Sequence, residues 1–273
     1  MSNRNPQVKK RLYTRLMDVY RHNNIYIPGF NSIVRSMLKA KAEGAFRSVS
    51  EQGAKKQPEI RSWFDSHNFF FGYGLFRSGT TFLADLLNRH AEQAIVMHEA
   101  NVNDYWHYAK AMQSHNDASE YIKHYRLAEI YFRLEENSFS TYGEINPFLR
   151  RHCVAMAEAL PNVKQFQIVR DPRNVLRSLM SRELFGRKDP MAKVIYPPKN
   201  DPYSEEWAQM NRFEKLCWLW TADNKFIREN TNHLVKFEDL RKDFDQFDQN
   251  VLQFLGLKMS ADAWRSDIDQ VYN

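Results

Sequence analysis

With only Cys153 and Cys217, far apart in sequence and in no C-x-x-C or ligand-spaced pair, the chain has neither a disulfide framework nor a zinc site to offer. A reducing compartment follows, and the expected location is the cytoplasm. The nine histidines show no H-E-x-x-H or comparable spacing, so a metalloenzyme has no support. No stretch approaches the ~20 apolar residues that span a bilayer, and the basic opening MSNRNPQVKKRLYTRLMDVY leads into no apolar segment of a secretory signal. Neither secretion nor a transmembrane segment is expected. Internal repeats, heptad arrays and low-complexity tracts are also missing.

What is present is the composition of a globular protein, 43% hydrophobic and 26% charged over 273 residues. A net charge of +6 suits an anionic ligand, a nucleic acid or an acidic polymer, and an ordinary basic surface equally well. Residues 1–60 carry short helical patterns, VKKRLYTRLMDVY and FNSIVRSMLKAKAEGAF, separated by the breaker IPGF. They predict a helical N-terminal extension ahead of a domain over 61–273. In that domain NFFFGYG reads as a strand and TTFLADLLNRH as a helix, with Phe82, Leu83, Leu86 and Leu87 at helical spacing. Helix is expected over 104–134 and in RRHCVAMAEALP, then a buried strand in VKQFQIVR. DPRNVLRSLMSRELF follows as a helix with Pro172 in its first turn. Residues 186–204 read as a long loop, 205–230 as a helix whose Trp207, Phe213, Leu216, Trp218 and Trp220 belong to the core, and HLVKFEDL and FDQNVLQFLGL as a closing strand and helix. Alternating strands and helices predict an α/β fold, a parallel sheet flanked by helices, with ligands at the carboxyl ends of the strands.

At that edge the loop GYGLFRSGTT is nearly a phosphate-binding P-loop. Gly74 and Gly79 have the right spacing and Thr81 stands where the Ser or Thr belongs, but position 80 is Thr80 rather than lysine and the near cation is Arg77. Arg77, Ser78, Gly79, Thr80 and Thr81 together offer a fixed cation, hydroxyls and backbone amides to an oxyanion. Alone, the loop reads equally as a glycine turn joining strand to helix. A second group follows the next strand. In VRDPRNVLRS, Arg170 ends the strand, Ser178 lies about two helical turns on, and Arg173 and Arg177 are close, unless Arg170 simply pairs with Asp171 or Glu183. Magnesium-ATP chemistry would need a second acidic motif, and Asp171 stands beside two arginines.

Taken together these segments resemble the sulfotransferases that use 3′-phosphoadenosine-5′-phosphosulfate (PAPS), in the bacterial, carbohydrate or tyrosylprotein-like branch. FRSGTTF resembles the family's 5′-phosphosulfate loop and FQIVRDPRNVLRSLMSRE its 3′-phosphate motif. LVKFEDLRKDFDQFDQNVLQFLGL is similar to its closing strand and helix. The resemblance runs from about residue 66 to 257 and implies a P-loop NTPase-like sulfotransferase fold. It implies that Arg77 meets the bridging region of the phosphosulfate, that Ser78, Gly79, Thr80 and Thr81 hold its oxygens, and that Arg170 and Ser178 hold the 3′-phosphate. Phe82 and Phe237 become adenine contacts, with burial in the core the competing reading for both. The reaction implied needs a base and no metal. Glu99 is the candidate base, His98 the adjacent alternative and Glu144 a weaker one. Ile145 replaces a lysine that often assists the leaving group, which leaves Arg77 in that role. The family's C-terminal Arg-Lys-Gly segment is missing, unless Arg173, Arg177 or Arg265 substitutes.

The implied acceptor is a hydroxyl on a carbohydrate, a lipid or another small metabolite, held by loops over 100–145 and 186–205, with no nucleic-acid partner and an oligomeric state that the sequence leaves open. Two other readings stand beside this one. A nucleotide kinase with a degenerate P-loop would need magnesium and turn over ATP. A non-catalytic nucleotide-binding protein would keep its affinity in Glu99→Ala and transfer nothing.

Overall fold

The computed structural model of the chain describes residues 43–44, 46–182, 184–186 and 189–268. The helical extension expected over 1–60 lies outside the described residues as far as residue 42. Two compact units divide the chain, 1–45 and 46–273, and the second contains every strand of the sheet.

The frame of this second unit is a five-stranded parallel sheet in the order β2-β3-β1-β4-β5, formed by β1 (Asn68–Gly74), β2 (Ala94–His98), β3 (Thr141–Ile145), β4 (Lys164–Val169) and β5 (His233–Lys236). The aromatic run of β1 takes the centre because both of its faces can be buried. Phe69, Phe71 and Tyr73 point into one cluster, with Ile60 and Phe64 of helix α1 (Gln57–Asp65) and the tyrosines of the 121–131 segment. Phe70 points into the other, with Phe166, Ile168 and Val235 of β4 and β5 and the Phe82, Leu83, Leu86 and Leu87 face of α2 (Thr80–His90). That opposite-face alternation is the period of two of any strand.

The helical stretch expected over 104–134 is broken. It consists of α3 (Val102–Gln113), α4 (His115–Tyr121), a π-turn over Ile122–Arg126 and α5 (Leu127–Leu134). The break falls at Ser114, whose side chain caps α4 by accepting from the Asp117 amide. After α6 (Cys153–Ala159), α7 (Pro172–Met180) starts on Asp171 as N-cap with Pro172 in its first turn. Helix α8 (Arg212–Asn230) starts later than the pattern suggests, because Asn211 and Glu214 form a capping box at that point. Trp207 therefore lies in the turns before α8, and Phe213, expected in the core, is 50% exposed at its first turn. Leu216 and Trp218 are buried as expected, in a third cluster with Leu75, Tyr108 and Val175. The chain closes with a helical stretch over 244–255 and α9 (Ala261–Ile268). Among the described residues no helix is long and apolar enough to cross a membrane.

Strand order places the site. The chain runs from β1 outward to β2, returns to β3 beside β1, and then crosses to β4 on the other side. The loops leaving β1 and β4 therefore diverge at the switch point of the sheet, where a crevice opens at the carboxyl edge.

Candidate active site

The loop after β1 closes on itself through a hydrogen bond from the Ser78 amide to the Leu75 carbonyl at 3.1 Å. Arg77 has φ 70° and Gly79 φ 90°, so the loop makes two left-handed steps before α2 begins. Glycine is required at 79 on a second count, since a Cβ there would lie 2.0 Å from the Phe237 ring. Gly79 is the N-cap of α2 and supplies no side chain to its first-turn amides. Ser78 is fully buried, and its hydroxyl has no hydrogen-bond partner among the described residues.

Arg77 and the motif after β4 meet directly. Arg77 Nε donates to Ser178 Oγ at 2.8 Å, and Arg170 Nη1 donates to the Arg77 carbonyl at 3.1 Å. The Arg170 guanidinium lies 4.6 Å from the centre of the Phe237 ring, a cation-π contact, while its buried Nε has no partner among the described residues. The pKa of Arg77 is lowered by burial first and then by the like charges of Arg182 and Arg170. Arg182 thus joins the group. Sequence reasoning misses it, since it stands beyond the end of α7 and outside the VRDPRNVLRS group. Asp171, the acid beside Arg170 in sequence, is engaged elsewhere: it pairs with the exposed Arg173 at 2.5 Å, and those hydrogen bonds hold its carboxyl down at about 2. Arg265 pairs with Asp262 at 2.9 Å. Among the described residues, no carboxylate pairs with Arg77, Arg170 or Arg182.

Of the two aromatic candidates, Phe237 is half-buried beside Arg170, while Phe82 is 2% exposed within the core and meets Phe237 edge-on at 6.0 Å. Across the crevice His98 ends β2, with Nε2 3.1 Å from Thr80 Oγ1 and 3.4 Å from Thr81 Oγ1. Glu99 follows at φ 47°, and its Oε1 lies 3.8 Å from His98 Nε2. The loops thus bring Arg77, Ser78, Gly79, Thr80, Thr81, Arg170, Ser178, His98 and Glu99 to one edge.

Glu144 is the exception. It is completely buried, and its carboxylate accepts from Arg126 Nη2 at 2.5 and 2.6 Å, from Tyr142 Oη at 2.9 Å and from Asn146 Nδ2 at 2.8 Å. Burial raises its pKa, but Arg126 and Arg133 outweigh that and leave it below the usual carboxylate value. A carboxylate committed in this way has no lone pair left for a substrate proton. The sequence candidate at 144 is therefore corrected to a structural one.

Among the described residues the exposed large apolar side chains are Val102 and Trp106 on α3, Met180, Val194, Tyr196, Tyr203 and Phe213. Val102 and Trp106 stand one helical turn apart, immediately after Glu99.

A sequence model of the sulfotransferase family matches residues 70–261. Among solved structures, the chain is similar to a sulfotransferase from Alicyclobacillus acidocaldarius, with 18% identity over 74% of this chain and 92% of that one and a TM-score of 0.42. It is similar to the sulfotransferase STF1 from Mycobacterium tuberculosis, with 15% identity over 87% and 80% and a TM-score of 0.48. The mouse sulfotransferase SULT7A1 complexed with PAP is similar at 13% identity over 77% and 66%, with a TM-score of 0.34. No curated protein matches the sequence.

Proposed function

The chain belongs to the sulfotransferase family, and from that premise we propose that it moves the sulfuryl group of PAPS to a hydroxyl acceptor. The observation that carries this reading is the convergence of Arg77, Arg170 and Arg182 without a carboxylate among the described residues. Like charges brought together in a partly buried cleft raise the energy of the empty site, and an anion carrying several charges relieves it. Two buried polar atoms without partners among the described residues, Ser78 Oγ and Arg170 Nε, fit the same ligand, since both can donate to phosphate oxygens. When bound, PAPS supplies an activated sulfuryl group on a bisphosphate leaving group.

The residues divide that work. Arg77 carries a permanent charge at the loop and neutralises the charge that grows on the departing oxygen. Ser78, Gly79, Thr80 and Thr81 hold the adjoining oxygens with hydroxyls and with the first amides of α2. Arg170 and Ser178 hold the 3′-phosphate, and Phe237 offers a ring face beside Arg170 for the adenine. Glu99 accepts the acceptor's proton, and His98 holds the hydroxyl of Thr80 beside it. The apolar side chains at the start of α3 support an acceptor alcohol whose hydroxyl is carried on a body with an apolar face, whether sugar, lipid or small metabolite.

The test is incubation with 35S-labelled PAPS and a panel of sugars and alcohols, with Glu99→Gln and Arg77→Ala alongside. Labelled sulfate ester from the wild type, lost in both variants, supports the reading. No ester from any acceptor, or full transfer by Arg77→Ala, would overturn it.

A further inference from the structure

We propose that Tyr125 is a positioning residue that holds Glu99 in its reacting orientation, an inference that rests on the reading of Glu99 as the base. A left-handed φ of 47° at a residue with a side chain persists only where the surroundings impose it. On the N-terminal side they do so through His98, held by the Thr80 hydroxyl. On the C-terminal side the chain must enter α3 within three residues, and a single phenol fastens that entry. Tyr125 Oη accepts from Asn101 Nδ2 at 2.9 Å and from Asn103 Nδ2 at 2.7 Å. Asn101 is at the same time the N-cap of α3, its Oδ1 accepting from the Asn103 amide at 2.9 Å. Both side-chain amides at the start of α3 therefore depend on one oxygen, carried by a residue with only moderate sequence separation but on a different helix.

The π-turn explains how that oxygen gets there. Successive residues of an α-helix rotate by about 100°, which would aim Arg126 well away from Tyr125. The wider turn at Ile122–Arg126 lets Tyr121, Tyr125 and Arg126 all address α3. Tyr121 and Arg126 take the Asp104 carboxylate at 2.7 and 3.0 Å. Tyr125 alone of the three takes the residues directly after Glu99. A π-turn has poorer hydrogen-bond geometry than the helix it interrupts, and here the distortion coincides with the contacts that fix the turn at 99–101.

Tyr121 supplies the control, because its hydroxyl bonds in the same buried region without touching residues 99–103. Amide hydrogen exchange would be measured on Tyr125→Phe and Tyr121→Phe, with adenosine 3′,5′-bisphosphate titrated into each. Turnover would be followed as labelled sulfate released from PAPS, with water as acceptor. In Tyr125→Phe, loss of both hydrogen bonds should speed exchange over 99–103 and slow turnover about tenfold each. The 75–81 loop should exchange as before and the bisphosphate Kd stay within about twofold, since Tyr125 touches neither. Adding Tyr125→Phe to Glu99→Gln should cost little beyond Glu99→Gln alone, because the two act as one unit. Unchanged exchange over 99–103, or an equal rise there in Tyr121→Phe, would overturn the inference. So would full turnover by Tyr125→Phe where Glu99→Gln has lost it. Full turnover by Glu99→Gln would instead overturn the base reading itself, and with it the catalytic half of the inference.

Discussion

Arginine is used in two ways in this domain. Between α3, β3 and α8 each buried guanidinium faces a carboxylate: Arg126 meets Asp104 at 3.0 Å and also Glu144 and Glu129, Arg133 meets Glu129 at 3.2 Å, and Arg150 and Arg151 share Asp223 at 2.5 and 2.6 Å. At the carboxyl edge the charges of Arg170 and Arg182 act on Arg77, whose own partners are a serine hydroxyl and, through its carbonyl, Arg170. The first set is complete within the fold, since burying a guanidinium without a counter-charge costs several kcal/mol. The second set has no carboxylate among the described residues, and on the reading proposed above a bound anion completes it. Pairing therefore separates the arginines that hold the domain together from those we assign to an anion, and neither burial nor sequence context alone makes that distinction.

The two sets should respond to truncation in opposite ways. Arg77→Ala is expected to lower sulfuryl transfer by about 10³-fold, the upper range for loss of one preorganised charge stabiliser. Its unfolding temperature should stay at the wild-type value or rise, because the variant relieves like-charge repulsion; calorimetry beside the transfer assay checks both. Arg126→Met should do the reverse. It leaves Asp104 and Glu144 buried without their shared cation, so the unfolding temperature should fall by about 10 °C, from ~3–5 kcal/mol in a domain of this size.

The paired set also carries a pH signature. Burial raises the Asp104 carboxyl from 3.8 to about 7, against the pull of Arg126. A folded-state pKa above the unfolded one stabilises the fold fully below the unfolded value and is lost as pH rises through the folded one. Unfolding temperature should thus decline from about pH 4 to pH 7 through this group. Glu144, shifted the other way, contributes stability that is present above the ordinary carboxylate value and is lost as pH falls below it. Asp104→Asn cannot ionise and should flatten the decline, which thermal scans at several pH values would show. The smallest effect belongs to Arg173, which lies beside the cradle but is 88% exposed and already paired with Asp171. Arg173→Ala should move the unfolding temperature by no more than about 1 °C and the bisphosphate Kd by no more than about twofold.

Much of this contrast is legible in the sequence, and the illegible part has a common cause. The strand NFFFGYG is β1 to the residue, because a short aromatic run ended by glycine has few other ways to be buried. The two phosphate motifs are visible because each is contiguous and each follows a strand, so the parallel sheet itself brings them together. From the sequence Glu144 stands as a weaker second candidate behind Glu99, and nothing in its immediate neighbours excludes it. What commits Glu144 is Arg126, 18 residues upstream, delivered by a π-turn that no hydrophobic period announces. Helical spacing assigns Trp207 and Phe213 to the core, but the capping box at Asn211 and Glu214 sets where α8 begins. Local patterns predict elements, whereas the partner of a buried charge is decided by tertiary contacts that only the fold supplies.

The central claim, that the unpaired arginines form a nucleotide site, is tested most directly by titration calorimetry of adenosine 3′,5′-bisphosphate, beside magnesium-ATP, into the wild type and Arg170→Ala. Preference for the bisphosphate is expected, with affinity falling about tenfold or more in Arg170→Ala as a charge-assisted hydrogen bond is lost. Preference for magnesium-ATP, or equal binding by both proteins, would contradict the claim.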